Sequence, residues 1–228
     1  MIDIKIIASG SAGNAYLVSD QNHKILIECG IDFTKLRQAL NFKTPTLDAV
    51  LISHEHKDHA KSARQLTRIG VPMIMSEGTR QALEIDPAFA VIAKSQTALE
   101  VGPWRLLPFD VEHDAAEPIG FLIMSPSGKK ILYATDTAFL RWTFTGVNHF
   151  LIETNYSEKY LVQNENIDDF LKDRIRRSHF ELDNCIEFLK SCDLSSAEKI
   201  HLLHLSNDNA DRQEFIGRVM AETGIPAY

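Results

Sequence analysis

The stretch LISHEHKDHAKS, residues 51–62, sets His54, His56 and His59 together with Glu55 and Asp58 inside six positions, directly behind an apolar run. A strand that simply turned into a helix would gain nothing from so many titratable groups. In an extended segment His54 and His56, two apart, send their rings to one side and can meet at a single ion; Asp58 and His59 follow one turn later and point elsewhere. That spacing suits two metal ions rather than one. Imidazole combined with carboxylate favours zinc or manganese, with iron also acceptable to such a set. Neutral imidazole is available as a ligand near neutral pH.

Two histidines and one aspartate do not close a binuclear site. Further ligands are expected where other apolar strands stop at a polar residue. RLLPFDVEHD stops at His113, KKILYATDT at Asp136 and KIHLLHLS near His204. Each residue falls at the C-terminal end of its strand, which predicts one common sheet edge gathering all four segments at a rim.

The rest of the chain reads as strands covered by helices. IDIKII, AYLVSD and KILIEC are rich in β-formers and separated by turn signals, the pattern of a meander. FTKLRQAL, AKSARQLTRIG and GTRQALEI read as helices, as do NIDDFLKDRIRR, ELDNCIEFLKSC and ADRQEFIGRVMAE, the last closed by Gly224. FAVIAK, TALEV, WRLLPFDVE, IGFLIMS and KKILYAT read as strands, with SPSGKK turning between the last two. This is the layered α/β class. With 228 residues, 44% of them hydrophobic, and no repeat or linker, the expectation is one domain spanning residues 1–228.

A formal net charge of -7 argues against a broad nucleic-acid footprint, so an anionic substrate must be drawn in by a metal or a small basic patch. The start, MIDIKIIASG, lacks the basic, long-apolar pattern of a signal peptide, and no run reaches membrane-spanning length, so no membrane partner is expected. Three cysteines are an odd number. Cys185 and Cys192 lie roughly 10 Å apart along a helix, too far to bridge. A reducing cytoplasm fits best.

HEHKDH, the later His113, the Asp in YATDT and the final LLHLS are together similar to the ordered ligand motifs of the metallo-β-lactamase superfamily, and SGSAGN near the start resembles its small bacterial YycJ-like branch. The resemblance covers nearly the whole chain. It implies a four-layer αβ/βα sandwich and two divalent ions. The first would take His54, His56 and His113, the second Asp58, His59 and His204, with Asp136 bridging both. It also implies that the SGSAGN loop, with Ser11 and Asn14 as substrate candidates, lies under the metals.

Other residues carry weaker signals. RRSHFELDN has the capping-box spacing Ser178 to Glu181, which predicts a helix starting at Ser178 with His179 in its first turn. In related phosphodiesterases a histidine in this region protonates the leaving oxygen, and SHFE resembles that element; a bystander in a capping turn is the alternative. Lys172, Arg174, Arg176 and Arg177 form the densest basic stretch, and Arg176 and Arg177 are candidates to hold phosphates of a polymer, or else part of a solvated helix face. Glu153, Asn155 and Ser206 are candidate substrate or supporting contacts near the same rim, with capping an equal account of Ser206. His201, three positions before His204, faces the opposite side of its strand and reads as a packing residue, like His23 and His149.

With no serine or cysteine nucleophile motif, the set points to a binuclear metal-dependent hydrolase using a metal-bridging hydroxide oriented by Asp58. By resemblance, Asp136 as the bridge favours phosphodiesters, hence a phosphodiesterase or nuclease acting on a small phosphodiester or on nucleic acid, including single strands. Only 68 positions separate Asp136 from His204, too few for the extra domain of the large processive nucleases of the superfamily. The alternatives are a thioester or lactone hydrolase of the glyoxalase II type and a non-catalytic metal-binding partner protein.

Overall fold

The computed structural model describes residues 2–228, and the chain falls into two compact units, residues 1–110 with 115–129 and residues 111–114 with 130–228.

In the first unit the opening strands β1 (Asp3–Ala8), β2 (Ala15–Asp20) and β3 (His23–Ile27) form the expected antiparallel meander, with a register shift between Ile6 and Ala8. From β3 the sheet continues in parallel through β4 (Ala49–Leu51), β5 (Met73–Met75) and β6 (Ala90–Ile92). Every residue of β4 and β5 is buried, as expected of parallel strands covered on both faces. Helices α1 (Phe33–Ala39), α2 (Lys57–Ala60), α3 (Ala63–Arg68) and α4 (Glu77–Ala82) supply the crossovers. The expected helix AKSARQLTRIG is shorter than its sequence suggests. A separate turn of helix, α2, takes up the end of HEHKDH and Ala60, and α3 starts only at Ala63, after Ser62 has turned its hydroxyl to the Ile31 carbonyl at 2.6 Å. An antiparallel ladder of β7 (Leu99–Val101), β8 (Trp104–Asp110) and β9 (Ile119–Met124) completes the unit.

The second unit is built on three parallel strands, β10 (Lys130–Ala134), β11 (His149–Glu153) and β12 (Lys199–Leu203). Its helices are α5 (Glu158–Gln163), which has no counterpart among the expected elements, α6 (Asp169–Ser178), α7 (Leu182–Ser191) and α8 (Arg212–Thr223), which ends at a left-handed Gly224 as expected. Leu182, Cys185, Ile186, Phe188 and Leu189 of α7 and Phe215 and Val219 of α8 turn inward. The chain end covers the outer edge of β12, with Tyr228 N–H bonded to the Ile200 carbonyl and Leu202 N–H to the Tyr228 carbonyl, both 3.0 Å.

Two expectations are corrected. The four ligand segments do not leave one sheet edge, because HEHKDH follows β4 of the first sheet whereas Asp136 and His204 follow β10 and β12 of the parallel ladder. Ser178 does not open a helix. The Glu181 carboxylate accepts the Asn184 N–H at 3.1 Å and caps α7, while the Ser178 hydroxyl donates back to the Arg174 carbonyl at 2.7 Å and closes α6. His179 is therefore the extended residue after α6, with φ -135° and ψ 153°, not part of a first turn.

Asp48 ties the start of β3 to β8, accepting Lys24 N–H at 2.8 Å and the indole N–H of the fully buried Trp104 at 2.9 Å. Asp48→Ala leaves that indole unsatisfied and is expected to lower stability to urea by about 1–3 kcal/mol. Arg64→Ala, at an exposed pair with Glu84, should cost less than about 1 kcal/mol.

Candidate metal centre

The first cluster lies where β4 runs out. His54 and His56 leave the extended segment on one side, and His54 Nε2 stands 3.1 Å from His56 Nδ1. Two nitrogens on one ion with bonds of about 2.1 Å stand at about that separation. His54 Nδ1 is held at 2.9 Å by the Ser53 hydroxyl, which fixes the ring and leaves Nε2 facing His56. His59, fully buried on α2, brings its ring to 4.2 Å from that of His54, with Nε2 at 3.4 Å from Asp58 Oδ2 and 3.1 Å from the Asn14 amide.

The loop beneath this cluster explains its glycines. Asn14 N–H donates to the Asp58 carbonyl at 2.7 Å, Gly30 N–H donates to the Asn14 carbonyl at 2.8 Å, and Cys29 N–H donates to the His59 carbonyl at 2.8 Å. Asn14 is fully buried, so it supports His59 rather than facing solvent, while Ser11 stays exposed in its turn. A Cβ on Gly30 would sit 1.6 Å from the Asp58 carbonyl oxygen, and one on Gly13 would meet the Gly30 carbonyl at 2.6 Å. Only glycine lets these backbones approach. From sequence, the Glu28–Cys29 pair is expected only to pack, with no chemistry assigned to Glu28. Fully buried at φ 60°, it accepts the Ser53 N–H at 3.2 Å and lies 3.6 Å from His59 Nδ1.

In the second unit the ends of three adjacent parallel strands deliver Asp136, Glu153 and His204 to one edge. Asp136 Oδ1 lies 3.2 Å from His204 Nδ1, and its Oδ2 lies 3.7 Å from His113 Nε2. His113 Nδ1 donates to the Ser178 carbonyl at 3.1 Å, so Nε2 is the nitrogen turned toward the carboxylate. Asp136 and His204 both adopt left-handed backbone, φ 47° and 53°, a strained conformation for either residue.

Glu153, named from sequence only as a contact, is the hub of this cluster. Its Oε1 accepts from His179 Nδ1 at 2.7 Å and lies 3.1 Å from His204 Nδ1, while Oε2 accepts the Thr137 and Phe180 N–H groups at 2.9 and 3.2 Å. Burial alone would raise its pKa, but the charge of His179 and the imidazole hydrogen bonds hold it below the ordinary carboxylate range. Burial likewise disfavours charged His179, yet Glu153 keeps that imidazole above its ordinary value. Ligand atoms of Asp136, Glu153, His179 and His204 all lie within 4.8 Å of one another. The converging nitrogens, the carboxylate between His113 and His204, and the rings anchored through their other nitrogens fit divalent metal ions.

The Asn155 amide donates to the His204 carbonyl at 2.7 Å, and Ser206 accepts the Asn209 N–H at 3.2 Å, closing a turn, while the cap of α8 is Asp211. Arg176 is held by Glu158, at 2.8 and 3.0 Å, and by Asp173, whereas Arg177 is exposed and joins no ion pair among the described residues. His201 stacks on Tyr228 at 5.7 Å and burial drops its pKa to about 4, the packing role expected of it.

Residues 23–205 match the family of the β-lactamase superfamily domain. The chain belongs to the β-lactamase superfamily. Among superfamily relatives it is 30% identical over 221 residues to the exodeoxyribonuclease WalJ of Streptococcus pneumoniae, covering 90% of this chain and 81% of that one. It is 29% identical over 244 residues to the exodeoxyribonuclease YycJ of Bacillus anthracis, covering 98% and 91%. Its fold is that of the metallo-β-lactamase fold protein YhfI of Bacillus subtilis, with a TM-score of 0.76 at 15% identity over 99% of this chain and 95% of that one.

Gly30→Ala is expected to push the Asp58–His59 turn out of place, so that the purified protein retains less than half the metal of the parent by elemental analysis while its circular dichroism stays folded. Gly217→Ala, at a position on α8 where a Cβ meets nothing within 4 Å, should leave metal content unchanged.

Proposed function

We propose that this chain is a binuclear metal-dependent phosphodiesterase of nuclease type, acting on nucleic acid, single strands included, or on a small phosphodiester. The observation that carries this reading is that the WalJ and YycJ exodeoxyribonucleases align with 90% and 98% of the chain. The proposed ligands are His54, His56 and His113 for one ion and Asp58, His59 and His204 for the other, with Asp136 shared. Residues 1–228 are proposed to act as one functional domain. Zinc or manganese suits the donors, with iron chemically acceptable.

The chain's own nucleophiles speak against a covalent route. All three cysteines are buried and free, and burial pushes the thiols of Cys29 and Cys185 up, the latter to about 12, so neither is a thiolate at neutral pH. The chemistry bound divalent ions supply is polarisation of the phosphoryl group and acidification of the attacking water. Asp58 orients that water. With Nδ1 committed to Glu153, His179 keeps Nε2 to donate a proton to the leaving oxygen, and Glu153 holds the ring in place. Among the described residues no helix is long and apolar enough to cross a membrane. Three free thiols suit a cytoplasmic setting.

Metal-loaded protein is expected to hydrolyse bis(p-nitrophenyl) phosphate and single-stranded DNA, and to leave an acyl thioester untouched under the same conditions. Turnover of the thioester alone would favour the glyoxalase II type instead. His179→Ala should lower kcat on the phosphodiester roughly 10²- to 10⁴-fold with metal content intact. Normal turnover by that variant removes the role given to His179.

A further inference from the structure

We propose that the cleft along α6 is a nucleotide subsite, in which Phe170 stacks on a base of single-stranded nucleic acid and Arg174 and Arg177 hold its phosphates. This rests on the nuclease reading above and names the part of the chain that would grip the polymer. Phe170, Arg174 and Arg177 stand at i, i+4 and i+7 of α6 and so share one face of the helix. Phe170 is 81% exposed, the most exposed large apolar side chain among the described residues. An exposed phenylalanine alone means little. This one lines a cleft of about 580 Å³ together with Asp114, Asp173, Arg174, Arg177 and Ser178, within the size range of small-molecule sites.

Charge selects the occupant. Elsewhere on this helix the cations are engaged, Arg176 with Glu158 and Asp173 and Lys172 with the Val162 carbonyl at 3.3 Å. Arg174 and Arg177 are exposed and join no ion pair among the described residues, in a chain of net charge -7. Of the two lining carboxylates, Asp173 is taken by Arg176 at 3.0 Å, and Asp114 is exposed, where salt weakens its repulsion of a phosphate. Two uncommitted guanidiniums beside an open aromatic face match a phosphate followed by a base, and stacking tolerates any base. The cleft also abuts the candidate centre, since the Ser178 carbonyl in its wall accepts from His113 Nδ1 at 3.1 Å and His179 is the next residue.

The test is fluorescence anisotropy of a fluorescein-labelled oligothymidylate with metal-free protein in EDTA, where no cleavage competes. Wild-type protein should prefer the oligothymidylate to an abasic backbone of equal length. Phe170→Ala should weaken binding roughly five- to hundredfold and abolish that preference, and Phe170→Trp should retain both. Arg174→Gln combined with Arg177→Gln should lower the salt dependence of binding by about 0.7 in slope for each phosphate no longer neutralised. Equal affinity of wild type and Phe170→Ala, or equal binding of the abasic strand by wild type, overturns the subsite. If wild-type protein hydrolyses bis(p-nitrophenyl) phosphate while either result is found, the subsite alone falls. If metal-loaded wild-type protein cleaves no phosphodiester, the nuclease reading itself falls.

Discussion

A carboxylate taken out of water costs several kcal/mol unless hydrogen bonds or a cation answer its charge, and Glu28, Asp136 and Glu153 are 0%, 3% and 0% exposed. Each sits just beyond a strand end or at one, and each is answered by imidazole or backbone N–H. Glu28 faces His59 and the Ser53 amide; Asp136 stands between His113 and His204; Glu153 accepts two amides and the His179 ring. Interiors built only for stability rarely bury such groups, because apolar packing of equal volume is usually no less stable. Their presence makes sense where the burial serves a divalent cation and the chemistry around it.

The backbone carries a second cost at the same places. Glu28, Asp136 and His204 all hold positive φ, a conformation worth about 1–3 kcal/mol of strain in side chains of this kind. The strain turns each chain direction sharply at the end of a buried strand, so that a side chain emerges where the sheet stops. Glycine does complementary work in the first unit, where Gly30 lets the Asp58 carbonyl come within reach of the Asn14 amide. Position, rather than residue type alone, turns ordinary histidines and aspartates into candidate ligands.

Much of this is legible in the sequence. The meander of β1 to β3, the helices α1, α4, α6, α7 and α8, and the emergence of HEHKDH behind a buried strand follow from period and turn chemistry, which are local properties. The hidden parts depend on competition or on distant partners. Ser178 has the side chain preferred for capping α7, yet the Glu181 carboxylate takes that place, which leaves His179 beyond α6 with its Nδ1 on Glu153. Short α5 sets its apolar residues Tyr160, Leu161 and Val162 side by side, without the spacing that announces a helix. The hub role of Glu153 arises from residues 137, 179, 180 and 204 meeting it, a meeting no spacing along the chain records. Glu28 is silent in the sequence for the same reason, its partners lying at Ser53 and His59.

On the proposed reading, a pair of ions would share one carboxylate, that of Asp136. Calorimetric titration of metal-free protein with zinc or manganese tests it most directly. Two equivalents should bind per chain, and Asp136→Ala should weaken both events together, as a ligand common to both ions requires. A single equivalent, or two equivalents of undiminished affinity in Asp136→Ala, would contradict it.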